Sequence, residues 1–85
     1  MEILYKPIFI RQFNKLEVNL QEEVFEKIEL FKNAKNHKLL KVHKLKGKFE
    51  DCYSFSVNYS FRIVFSYDSK TRVQFLSIGD HDVYK

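Results

Sequence analysis

Tyr59-Ser60-Phe61-Arg62-Ile63-Val64-Phe65 is the stretch whose reading decides how this chain folds. Phe61, Ile63 and Phe65 fall on one side of an extended backbone, and Arg62 and Val64 on the other. One wholly apolar side marks a strand laid against a core. A guanidinium on the second side needs a partner or water, because burying an unpaired charge is costly. The stretch therefore predicts a sheet with one face packed and the other open at Arg62.

The flanking segments extend that sheet. Upstream, Tyr53, Phe55, Val57 and Tyr59 alternate with Cys52, Ser54, Ser56 and Asn58, the pattern of a half-buried strand. A turn at Asn58-Tyr59-Ser60 leads into the Arg62 strand, and Tyr67-Asp68-Ser69-Lys70 predicts a second turn. Val73, Phe75 and Ser77 then alternate with Gln74, Leu76 and Ile78. Apolar residues on both sides place this strand centrally. Gly79 breaks it, and residues 80–85 form a tail. Short turns between the three strands predict an antiparallel meander.

Further back the period changes from 2 to 3.6. Phe9, Phe13 and Leu16 make one apolar stripe, with Pro7 suited to the first helical turn. This predicts a helix over 7–16 with Arg11, Gln12, Asn14 and Lys15 in water. Leu20, Val24, Ile28 and Phe31 predict a second helix to residue 32 or 33. Asn19 is its expected N-cap, with Glu22 completing a capping box. Glu2-Ile3-Leu4-Tyr5 reads as a first strand. Residues 35–48 are a basic connector anchored by Leu39, Leu40, Val42 and Leu45, either a short helical turn or an irregular strand. Gly47 permits a turn there. The order β-α-α-β-β-β predicts an α+β domain over 1–85: an antiparallel sheet, a two-helix hairpin on one face, and an open concave face.

Composition sets the outer limits. Eighty-five residues make one small domain whose core must be dense, and nine Phe and five Tyr supply it. The net charge of +4 suits a polyanion. Its placement is more telling: Lys35, Lys38, Lys41, Lys44, Lys46 and Lys48 lie in the connector with His37 and His43, and no acid interrupts them. The single cysteine, Cys52, excludes an internal disulfide framework and suits a reducing cytoplasm. No apolar run is long enough to span a membrane, and no signal peptide is recognisable. No large exposed apolar helix face is left over, which predicts a monomer.

Metal and nucleotide motifs are missing. His37 and His43 lack zinc-site spacing, and no P-loop, dinucleotide fingerprint or nucleophile elbow occurs, so no metal and no cofactor is expected. The other possibility is metal-free RNA cleavage by protein groups. That chemistry needs a base for the ribose 2′-hydroxyl, an acid for the leaving 5′-oxygen, and cations against the phosphate. His43 and His81 suit the first two roles and Arg62 the third. Lys41, Lys44, Lys46 and Lys48 can hold the RNA backbone, and Tyr84 can stack on a base. The plain alternatives are surface histidines, a surface ion pair at Arg62 and a frayed terminal tyrosine.

Four blocks carry a family resemblance: Leu40 with His43-Lys44-Leu45-Lys46-Gly47, Tyr53-Ser54-Phe55-Ser56-Val57, Phe61-Arg62-Ile63-Val64-Phe65, and Ile78-Gly79-Asp80-His81-Asp82-Val83-Tyr84. In these blocks, their spacing and its length, the chain resembles the RelE/ParE toxin superfamily, closest to the RelE-like and YafQ-like mRNA interferases. The resemblance implies the toxin of a type II toxin–antitoxin system, an endoribonuclease that cuts mRNA in the ribosomal A site and leaves a 2′,3′-cyclic phosphate. It implies a cognate antitoxin, contacts with mRNA and 16S rRNA on the ribosome, no membrane and no cofactor. By position it makes Arg62 the stabiliser of the pentacovalent phosphate. His43 and His81 become the base–acid pair in either order, and Tyr84 stacks on a base or transfers a proton. A ParE-like inhibitor of DNA gyrase on the same fold, or a non-toxic degenerate member, are the alternatives it leaves.

Overall fold

The computed structural model describes residues 1–49 and 51–80, with Lys48 described in its backbone only. Within them the order is β1 (Glu2–Tyr5), α1 (Pro7–Asn14), α2 (Val18–Phe31), β2 (His43–Lys44), β3 (Tyr53–Ser56), β4 (Arg62–Ser69) and β5 (Arg72–Gly79). One-turn 3-10 helices, Ala34–Asn36 and Gly47–Phe49, flank β2. The connector thus holds both helical turns and a short strand, and Gly47 takes a left-handed φ of 72° at its turn.

The five strands form one sheet in the order β1-β5-β4-β3-β2. The β3–β4–β5 meander is antiparallel, as its short turns require, and β2 adds antiparallel to β3. β1 joins β5 in parallel, so the sheet is mixed. The crossover from β1 to its neighbour passes through both helices and the meander. Among the described residues, no helix is long and apolar enough to cross a membrane.

The helix stripes pack as their spacing requires. Phe9, Val24, Ile28 and Phe31 are buried against Phe55, Ile63, Phe65, Val73, Phe75 and Ile78. Phe31 is the hub, stacked on Phe55 at 4.6 Å and edge-on to Phe65 and Phe75 at 4.9 and 5.5 Å. Such ring pairs add about 0.5–1.5 kcal/mol each beyond area burial.

Several expectations are corrected. The second helix starts at Val18 with Glu17 at the N-cap and no side-chain cap, so Asn19 lies inside the first turn and the capping box does not form. A tertiary bond sets the start instead: Gln21 Nε2 donates to the Phe13 carbonyl at 3.0 Å, tying α2 to the end of α1. Helix α1 stops at Asn14 because Lys15 and Leu16 tighten onto Gln12 and Phe13 with i→i−3 bonds.

Gln12 is not in water but half-buried, with Oε1 accepting from the Ile78 N–H at 2.8 Å. β1 ends opposite Phe75, so no described strand covers the outer edge of β5 beyond it, and Gln12 supplies an acceptor there. The alternation in β5 breaks at Leu76, where the register steps from Phe65↔Phe75 to Val64↔Ser77. This bulge returns Ile78 to the core face beside Val73 and Phe75 and leaves Ser77 and Gly79 on the other. β4 continues to Ser69, so the second turn is at 70–71 rather than 67–70.

The face away from the helices is not bare along its length. Ser54 and Val64 are buried there, and it opens towards Ser56 and Arg62. Nor are the helices fully covered: Ile8 and Ile10 on α1 and Val18 and Phe25 on α2 are exposed, which removes the ground for expecting a monomer.

Candidate nucleic-acid site

Arg62 opens β4 and pairs with Ser56 on β3 and Gly79 on β5. Both neighbours are small, so its side chain has room on the open face. Ser56, Asn58, Tyr59, Lys41 and Arg62 line a recess of about 420 Å³ there. Arg62 Nη1 is buried and has no hydrogen-bond partner among the described residues. An unsatisfied buried donor costs about 1–3 kcal/mol, more when charged, and is normally found paired. The expected surface ion pair is therefore not what Arg62 makes: the two ion pairs among the described residues are Lys32–Glu29 and Arg72–Glu2.

Lys41 reaches the recess through the backbone. Ser56 N–H donates to the Leu40 carbonyl at 2.9 Å, which hangs the connector on the end of β3. Lys41 itself has φ 60°, the one positive value at a described non-glycine residue. That conformation costs a residue with a Cβ roughly 1–2 kcal/mol. It lets the Lys41 carbonyl accept from His43 Nδ1 at 2.8 Å.

That bond fixes the imidazole. A carbonyl only accepts, so Nδ1 carries the proton and neutral His43 presents its lone pair at Nε2. Ser54 Oγ lies 3.5 Å from Nε2, a long contact. His43 pairs with Ser54, Ser54 with Val64, and Val64 stands two residues from Arg62. Two strand spacings and two residue rises separate the His43 and Arg62 Cα atoms by roughly 12 Å. A phosphate between two long side chains can bridge that gap.

The other expected residues divide. Lys44 and Lys46 are exposed, but Lys44 alternates with His43 and pairs with Tyr53, on the opposite face. The Lys48 side chain, His81 and Tyr84 lie outside the described residues; Gly79, the register partner of Arg62, leads into the segment that carries the last two. His37 is structural: its ring stacks on Phe31 at 4.6 Å and Nε2 donates to the Phe31 carbonyl at 2.8 Å, closing the end of α2. Burial, and secondarily Asp51, pushes the Cys52 thiol up, which suits packing and not nucleophilic attack.

Two contributors lie on the turn expected at Asn58-Tyr59-Ser60, but their part in the site went unread. Tyr59 does not continue β3; it sits on the 57–61 turn, 92% exposed at the rim of the recess. Asn58 holds that turn. Its Oδ1 accepts from Ser60 N–H and Phe61 N–H, both at 2.8 Å, and its Nδ2 donates to Glu23 Oε1 at 2.6 Å. An Asn two residues before a Ser is the available signal for such an Asx turn.

No family model matches the sequence, and no curated protein does. Solved structures do. A chain of the intact RelBE toxin-antitoxin complex of E. coli is 22% identical, with TM-score 0.70 over 93% of this chain and 94% of that one. The YoeB-YefM toxin-antitoxin complex of Staphylococcus aureus gives 19% identity and TM-score 0.73 over 95% and 97%. The archaeal RelE-RelB complex of Pyrococcus horikoshii gives 15% and 0.73 over 93% and 92%. This chain has the RelE/ParE toxin fold. At these identities the likeness is one of fold. Within that RelE-like fold, the recess of Arg62, Lys41 and Tyr59 lies on the sheet face away from the helices.

Proposed function

We infer that this chain is the toxin of a type II toxin–antitoxin pair and a ribosome-dependent endoribonuclease acting on mRNA in the cytoplasm. The observation that carries the reading is Arg62 itself: its Nη1 is buried and unpartnered, and the residue lines a recess together with Lys41. A fork of N–H donors held without a protein acceptor suits an oxyanion, and the phosphodiester is the oxyanion that the resemblance calls for.

In this reaction the ribose 2′-oxygen bonds to the adjacent phosphorus and the bond from phosphorus to the 5′-oxygen breaks, leaving a 2′,3′-cyclic phosphate. The 2′-proton passes to a base and a proton is delivered to the leaving 5′-oxygen. His43 suits the base, because its bond to the Lys41 carbonyl leaves the Nε2 lone pair to accept. Arg62 meets the charge that builds on the phosphoryl oxygens. The resemblance supplies His81 as the other member of the pair in either order, so with His43 as base His81 takes the acid role. Tyr84 keeps its stacking or proton-transfer role from the resemblance. Lys41 is assigned to the RNA backbone in the recess; Lys44, which stands on the opposite face, is assigned with Lys46 and Lys48 to 16S rRNA.

The antitoxin partner is supported by the neighbouring structures, which are toxin-antitoxin complexes. An apolar groove lined by Tyr5, Phe9, Ile10, Phe13, Phe25 and Ile28, with Phe25 59% exposed, is surface such a partner would cover. The test is expression without antitoxin, with mRNA 5′ ends mapped in arrested cells. New ends within codons are expected, and His43→Ala should lower their rate by about 10²–10⁴-fold. Growth arrest with intact mRNA and broken DNA would move the chain to gyrase inhibition; no arrest would remove toxicity altogether.

A further inference from the structure

Tyr59 is an expense that the fold does not recover. Of the four described tyrosines, Tyr5, Tyr53 and Tyr67 each pack on another ring, and Tyr59 packs on no described ring. Its ring is 92% exposed, yet the turn beneath it is held by several hydrogen bonds. Val57 N–H donates to the Phe61 carbonyl at 2.9 Å, Asn58 Oδ1 takes two N–H groups, and Asn58 Nδ2 ties the turn to Glu23 on α2. A ring on a pinned turn loses little conformational freedom when something stacks on it.

The same recess is lined by Arg62, whose buried Nη1 is unpartnered, and by the lysine with strained backbone, Lys41. A flat apolar ring therefore borders two cations, one with a donor to spare. A volume of about 420 Å³ falls within the range of small-ligand sites. The ligand that needs an aromatic plane and an adjacent anion clamp together is a nucleotide unit of a single strand, its base free to leave a helix.

We propose that Tyr59 is the stacking platform for one base of a single-stranded RNA whose adjoining phosphate lies between Arg62 and Lys41. The inference rests on RNA being the substrate and adds a specificity-determining residue to that site. Stacking tolerates every base but favours larger ones, so Tyr59 biases the nucleotide choice without reading a hydrogen-bond edge. Its hydroxyl is dispensable and its ring is not.

The test uses the purified full chain and two trinucleotides that cannot be cut, one fully 2′-O-methylated and one identical but abasic at its centre. Backbone amide shifts of Ser60 and Phe61 report binding. The base-containing trinucleotide should bind about 5- to 150-fold more tightly than the abasic one. Tyr59→Ala should erase that ratio while leaving the abasic affinity alone, and Tyr59→Phe should keep it. Tyr59 touches solvent rather than core, so the amide spectrum of both variants serves as the folding control. Equal affinities for the two trinucleotides in the unaltered protein, no binding of either, or a ratio that survives Tyr59→Ala would each overturn the proposal. So would a Tyr59→Ala variant that loses only antitoxin binding. Tyr59-dependent binding in a chain that leaves mRNA uncut in cells would uphold the stacking site and overturn the nuclease. Cleavage that is indifferent to Tyr59→Ala would do the reverse.

Discussion

Gln12 and Arg62 stand on opposite faces of the sheet at the same end of β5, one satisfied and the other not. Gln12 reaches from α1 and accepts the Ile78 N–H at 2.8 Å. Arg62 pairs in register with the very next residue, Gly79, and keeps a buried donor without an acceptor. The helix side of the sheet closes its polar accounts, whereas the far side leaves one open. A domain of this size is held by only a few kcal/mol, so an open donor marks a place where stability was not what shaped the residue.

The contrast is most directly broken at Arg62. Arg62→Met keeps much of the side-chain volume and removes the unpaired donor. Cleavage should fall by about 10²–10³-fold, the usual consequence of losing one donor to a transition-state oxyanion. Stability in urea should hold or rise, by at most about 1–3 kcal/mol, since the removed group was uncompensated. If Arg62→Met is clearly less stable than the parent, then Arg62 is a structural residue and the two faces are alike.

The opposite result is expected across the sheet. Gln12→Ala removes the acceptor of the Ile78 N–H at an edge that no described strand covers. A loss of about 1–3 kcal/mol is expected in equilibrium urea unfolding. Cleavage by the folded fraction should not change. A neutral Gln12→Ala would mean that water replaces the side chain, and the helix face would then be less tightly closed than its geometry implies.

What could be read from the residues alone follows the same division. Phe9, Val24, Ile28 and Phe31 announce themselves because a helix repeats its buried positions and little competes with that pattern. The bulge at Leu76 is hidden because β5 has apolar residues in both phases, so either register looks buried until a partner strand chooses. Gln12 is unreadable for another reason: its acceptor is used 66 residues away. Tyr59 reads both ways, as the end of the β3 alternation and as part of a turn; the turn is what forms, and β3 ends at Ser56. In the site, Arg62 is legible as a charge where the strand pattern expects none. The link from Lys41 to His43 is not, because it depends on a backbone conformation that lysine rarely adopts.

That conformation gives the smallest and sharpest test. At φ 60° Lys41 bears a left-handed penalty that glycine escapes. Set against the greater chain entropy that glycine loses on folding, Lys41→Gly should gain about 0.5–1 kcal/mol, a rise of a few degrees in Tm. The same change deletes a cation from the recess, so RNA affinity should fall and its dependence on salt should weaken by about one phosphate contact. A glycine that improves the fold and harms the binding would put Lys41 beside Arg62, as a residue retained for the ligand. A glycine that destabilises the chain would show that the lysine stem itself braces the connector, and the far face of the sheet would then hold one exceptional residue rather than two.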